Sequence, residues 1–177
     1  MDNLTGIALL AGYFREVLAC DTESSPPTIV APDVGGVVRA RKFAGILKTD
    51  LAVVDKRRSH EVANLCEVMD VIGDVQGKTA IMVDDIIDTA GTICNAAALL
   101  KERGAVKIFA CATHGVLSGP ALERLEHSAI DSVILTDTIP LPESKKSAKI
   151  VQLSIAPLFA EVILRIHNDR SVSSLFD

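Results

Sequence analysis

Two periodicities take turns along this chain. Short apolar runs of strand length alternate with longer segments whose apolar residues recur every three to four positions, as on one face of a helix. The helical period predicts an opening helix over 5–19, "TGIALLAGYFREVLA", ended by the polar "CDTESSPP". A buried strand, "TIVA" (28–31), follows, then "PDVGG" and a helix over 36–47. "DLAVVD" (50–55) reads as the next strand, and "KRRSHEVANLC" (56–66), charged and aperiodic, as a mobile loop. "EVMDVIGD" and "KTAIMVDD" read as strands joined at Val75-Gln76-Gly77. After the acidic "VDDIIDTAGT" (83–92), "TICNAAALLKERG" is a helix with Gly104 in the terminating position. "KIFACATH" is a strand, "SGPALERLEHS" a helix with Ser118 as candidate N-cap, and "DSVILTD" another strand. A last strand near "IVQLSI" leads into the helix "PLFAEVILRIHND". Strands and helices in alternation predict an α/β fold, a mostly parallel sheet flanked by helices.

At 177 residues the expectation is one domain spanning 1–177. With 49% hydrophobic and 23% charged residues, disorder is excluded. A formal charge of −5 argues against nonspecific nucleic-acid binding, and 3% aromatics with no Trp against a base-stacking surface. "GIALLAGYF" is too short to span a bilayer and lacks the flanks of a signal peptide, so a cytoplasmic protein without membrane contact is expected. Four scattered cysteines form no CxxC pair, and nothing completes a ligand set around Cys111 and His114.

In a parallel sheet the strand-to-helix loops emerge at the carboxyl edge, where ligands bind, and three of them here carry unusual chemistry. In "PDVGG", Gly35 and Gly36 let backbone N–H groups approach an anion at a helix start, and Asp33 either holds Mg²⁺ bound to that anion or caps the helix. "KRR" (56–58) is either a solvated face or a set of cations brought by a closing loop onto a transferring phosphoryl group. In the acidic loop, Asp84 and Asp85 end an apolar strand with carboxylates facing the pocket, good acceptors for vicinal ribose hydroxyls. Asp88, Thr89, Ala90, Gly91 and Thr92 supply backbone N–H groups and two hydroxyls at a helix N-terminus, a cradle for phosphate. "GDVQGKT" (73–79) imitates a Walker A loop, but its glycine spacing is one residue short and a strand follows, so it reads as a turn.

With these residues in hand, the chain resembles the ribose-phosphate diphosphokinases, the phosphoribosyl pyrophosphate synthetases. "VDDIIDTAGT" looks like the phosphoribosyl-binding loop shared with type I phosphoribosyltransferases, and by itself leaves the two classes unresolved. "PDVGGVVRAR", "DKRR", "GDVQGKT", "ATHGVLSGPA", "TDTIP", "RIHN" and "SVSSLF", in the family's order, select the synthetase over nearly the whole chain. The resemblance implies a type I phosphoribosyltransferase-like fold. The implied activity is pyrophosphoryl transfer from ATP to the 1-hydroxyl of ribose 5-phosphate, giving phosphoribosyl pyrophosphate and AMP with Mg²⁺ as cofactor. It implies that Asp84 and Asp85 hold the ribose hydroxyls and Asp88 through Thr92 the 5-phosphate. It implies further that Lys56 and Arg58 stabilise the transition state and that Asp33 is a metal ligand. Ser171 and Ser173 match a loop that joins a regulatory phosphate or nucleotide site in some members.

Family members carry a preceding half of similar fold, with residues that contact ATP, a metal-binding His and a loop lent to a neighbouring subunit. This chain corresponds to the C-terminal half. The expectation is therefore a half-enzyme, working in a homo-oligomer or with a complementary N-terminal half. The alternatives are a noncatalytic synthetase-associated subunit and a stand-alone phosphoribosyltransferase, though the latter needs a base-recognition hood that no segment is left to build.

Overall fold

A computed structural model describes residues 4–19, 26–58 and 67–175. The elements follow the predicted order. Helix α1 (Ile7–Ala19) precedes strand β1 (Thr28–Ala31), helix α2 (Val37–Leu47) and strand β2 (Asp50–Arg58). Strands β3 (Glu67–Ile72) and β4 (Thr79–Ile87) lead to helix α3 (Gly91–Glu102) and strand β5 (Lys107–Gly115). Helix α4 (Ala121–His127), strands β6 (Ser132–Thr136) and β7 (Ile150–Leu153) and helix α5 (Ala156–His167) complete the chain. The strands form one seven-stranded sheet in the order β3-β2-β1-β4-β5-β6-β7, parallel throughout except that β3 runs antiparallel to β2.

The central strands are apolar on both faces because both faces are covered. Side chains alternate between two cores. Val30 of β1 and Ala80 and Met82 of β4 face α3 and α4, with Ile93, Ala97, Leu100 and Leu125. Ile29, Ala31, Ile81 and Val83 face α1 and α2, with Leu10, Phe14, Ala40 and Phe43. Helix α3 ends as its sequence predicts: Gly104 takes φ +86° and the Ala105 N–H closes the last turn onto the Leu100 carbonyl at 3.0 Å.

Three local expectations are revised. Lys56, Arg57 and Arg58 do not open a loop. They extend β2, pairing with Met69, Val68 and Glu67 of β3, because the partner strand supplies hydrogen bonds that offset their weak strand signal. The remainder of the expected mobile loop, 59–66, lies outside the described residues. Ser118 does not cap α4, whose first turn is preceded by Pro120 with no side-chain cap. Asp84 and Asp85 do not end their strand, which continues through Ile86 and Ile87.

"GDVQGKT" is the turn its spacing requires. It lies at the amino edge of the sheet, where the Lys78 ammonium sits 3.1 Å from both Asp50 and Asp74. Hydrogen bonds to Asp50 and Asp74 hold the lysine above its ordinary pKa.

Candidate active site

Sequence neighbours leave β1 in opposite directions across the sheet: β2 lies on one side of it and β4 on the other. A crevice opens at the carboxyl ends of strands where the order reverses in this way. The residues following β1 and β4 meet there, in a cavity of about 130 Å³ lined by Asp33, Asp84, and the segment from Ile86 to Ile93. Two of the three loops predicted to share an edge therefore share a wall. Lys56 and Arg58 lie on the part of β2 that runs on beyond its pairing with β1.

Each wall has a local cause. After β1, Asp33 starts a 3-10 turn, Val34–Gly36, by accepting the Gly36 N–H on Oδ1 at 2.9 Å. The capping role thus holds for Asp33, and its exposed carboxylate still lines the cavity. A Cβ at Gly35 would stand 3.2 Å from that same Oδ1, so a side chain here would press on the Asp33 carboxylate.

The acidic pair has a partner that sequence reasoning missed. Arg39, in the first turn of α2, places Nη1 2.8 Å from Oδ1 of Asp84 and Nη2 2.6 Å from Oδ2 of Asp85. A cation in a helix's first turn is disfavoured by the helix dipole, which was the one available hint that Arg39 answers to an anion elsewhere. Asp85 also donates its backbone N–H to Oδ1 of Asp84 at 2.8 Å. Only Asp84 of the pair lines the cavity; the Asp85 side chain, held by the same guanidinium, is 59% exposed. Burial pushes the Asp84 carboxyl up to about 6.

Beyond β4 the chain turns through Asp88, Thr89 and Ala90 into α3. Ala90 adopts φ +60°, a left-handed conformation unusual for a residue with a Cβ, and is buried. Gly91 and Thr92 form the first turn of α3, whose N-terminus thereby opens on the cavity. Free N–H groups and the positive end of the helix dipole make that end receptive to an anion.

Ser171 and Ser173 lie beyond α5, joined by a hydroxyl–hydroxyl bond of 2.9 Å, with Arg165 donating to the Ser171 carbonyl at 3.0 Å. Neither lines the cavity. Among the described residues no group of three or more His, Cys, Asp and Glu could by itself hold a metal. His114 is bonded to Thr138 at 2.9 Å, and burial raises the Cys111 thiol out of reach of ionisation. No helix among the described residues is long and apolar enough to cross a membrane.

The phosphoribosyl synthetase-associated domain matches residues 60–177. The chain belongs to that family. The ribose-phosphate pyrophosphokinase of Caldanaerobacter subterraneus subsp. tengcongensis is 57% identical over 176 residues, covering 99% of this chain and 54% of the relative. A crystal structure of phosphoribosylpyrophosphate synthetase from Mycobacterium smegmatis superposes with a TM-score of 0.84 at 41% identity, over 95% of this chain and 52% of that one. A purine phosphoribosyltransferase from Pyrococcus horikoshii Ot3, at 21% identity and TM-score 0.52, covers 83% of this chain and 84% of its own and shares the fold. The fold is thus type I phosphoribosyltransferase-like, as the resemblance implied. The chain spans about half the length of the curated relatives it matches.

Proposed function

We propose that this domain binds ribose 5-phosphate and supplies the sugar side of pyrophosphoryl transfer from ATP, yielding phosphoribosyl pyrophosphate and AMP. The observation that carries the reading is the shared cavity: a half-buried carboxylate, Asp84, and the N-terminus of α3 line it together. A phosphorylated pentose has matching ends, hydroxyls that donate and a phosphate that accepts.

In this reading Asp84 accepts from the ribose hydroxyls, with Asp85 joining it once Arg39 is shared or released. The backbone N–H groups and hydroxyls of Asp88 to Thr92 hold the 5-phosphate, each charge-assisted bond contributing on the order of 1.5–3 kcal/mol. The sugar is then fixed with its 1-hydroxyl presented for attack on the β-phosphorus, so the chain's main contribution is orientation. The bond from the 1-oxygen to that phosphorus forms as the α–β bridge breaks, AMP leaves with the bridging oxygen and the hydroxyl proton passes to water. Lys56 and Arg58 would balance the charge that develops.

The site also suits Mg²⁺, which takes one or two protein carboxylates and completes its shell with water and substrate phosphates; the exposed carboxylate of Asp33, which lines the cavity, would be the protein ligand. When bound, the ion would neutralise phosphate charge. The domain is taken to act as the C-terminal half of the enzyme, in a homo-oligomer or beside a complementary N-terminal half that supplies the ATP contacts.

Mixing the chain with ATP, Mg²⁺ and ribose 5-phosphate, alone and with the complementary half added, tests this. AMP release that appears or rises on complementation is expected. No release in either mixture would overturn the catalytic reading.

A further inference from the structure

The loop between β4 and α3 is held from behind by the segment between β5 and α4 and by α4 itself. The N–H groups of Val116 and Leu117 donate to the Ile87 carbonyl at 3.0 and 3.1 Å. Ser118 gives its N–H to the Asp88 carbonyl at 3.1 Å and its hydroxyl to the Asp88 carboxylate. Arg124 Nη1 donates to the Thr89 carbonyl at 2.9 Å. Three consecutive carbonyls therefore turn toward one brace.

That orientation has a consequence on the other side. In a trans peptide the N–H points opposite to the C=O, and the chain has no cis bond among its described residues. With the Thr89 oxygen turned to Arg124, the Ala90 N–H must point away from it. Arg124 lines the groove between α3 and α4, whereas Ala90 lines the acidic cavity. The Ala90 N–H is thus directed to the cavity side, where a phosphate oxygen would accept it.

The backbone does not favour this arrangement unaided. Holding the peptide this way leaves Ala90 at φ +60°, which alanine avoids. Rotating the Thr89–Ala90 peptide by about half a turn would carry Ala90 to negative φ, relieve that conformation and swing the Thr89 oxygen into the cavity. An oxygen there repels phosphate. We propose that Arg124 is a positioning residue that locks the Thr89–Ala90 peptide with its N–H toward the phosphate, against the backbone's own preference. The proposal deepens the sugar-phosphate reading and rests on it.

The test uses the 177-residue chain, with ribose 5-phosphate as the calorimetric probe. Arg124→Ala should weaken binding by about tenfold or more. Adding Ala90→Gly to that variant should recover at least about threefold, because glycine accepts positive φ as readily as negative and no longer favours the flipped peptide. A cation acting only through its charge, or a merely structural arginine, would not be rescued by removing a methyl group; no recovery overturns the lock. A ligand-free crystal structure of Arg124→Ala decides the same point independently. Ala90 at negative φ with the Thr89 oxygen in the cavity is expected, and an unmoved peptide overturns the lock whether or not the sugar binds. If the wild-type chain takes up no ribose 5-phosphate, the sugar-phosphate reading falls, while that ligand-free structure still decides the state of the peptide.

Discussion

Arg39 and Asp84 are joined across the carboxyl edge of the sheet, Nη1 to Oδ1, at 2.8 Å. The pair links the wall that follows β1 to the wall that follows β4, and it neutralises a carboxylate whose side chain is only 22% exposed. Arg39 offsets the burial that raises Asp84 to about 6. Arg39→Gln should therefore move the Asp84 titration higher still, read by carboxyl-carbon NMR. A titration left in place would show that the ion pair contributes nothing in solution.

The raised value also fixes a dependence of stability on pH. Asp84 titrates near 3.8 when unfolded and about 6 when folded, so between those values the folded chain keeps a proton that the unfolded chain has released. Its contribution is present below about 3.8 and is lost as pH rises through about 6. Asp84→Asn removes that loss. Relative to its own value at pH 4, the variant should hold about 1–2 kcal/mol more stability than wild type at pH 7, the full shift being discounted for solvent screening. Urea unfolding across that range measures the difference, and parallel curves would contradict the assignment.

Phe14 is the aromatic hub that ties α1 to the sheet. It is fully buried and lies edge-on to Phe43 at 6.1 Å and Phe109 at 5.6 Å between ring centroids. Phe14→Ala should cost about 3–5 kcal/mol in chemical unfolding. A loss below about 1 kcal/mol would mean that α1 is not part of the cooperative unit.

Lys78 separates the two edges of the sheet. Its bonds to Asp50 and Asp74 lie at the amino edge, away from the cavity. Lys78→Met should lower the melting temperature slightly and leave ribose 5-phosphate affinity within about twofold. A large loss of sugar affinity would place phosphate chemistry at this turn after all.

The fold was legible because its signals are local. The buried strand "TIVA", the helix ended by Gly104 and the glycine spacing of "GDVQGKT" each carry their cause within a few residues. The misreadings share the opposite property. Lys56 to Arg58 are strand because β3 pairs with them, and Ser118 leaves the cap of α4 because Asp88, thirty positions away, takes its hydroxyl. Asp33, Asp84 and the "DTAGT" residues could be singled out because carboxylates and glycines following an apolar run are locally improbable. Arg124 could not, and Arg39 offered only its place in a helix's first turn, since an arginine on a helix does not name its partner 35 or 45 positions away.

The most direct measurement is a crystal structure of the chain soaked with ribose 5-phosphate. The account predicts the 5-phosphate within hydrogen-bonding distance of the Thr89 to Thr92 amides and the ribose hydroxyls on Asp84. A sugar phosphate bound elsewhere, with the Asp84–Arg39 pair intact and the α3 terminus bare, would contradict it.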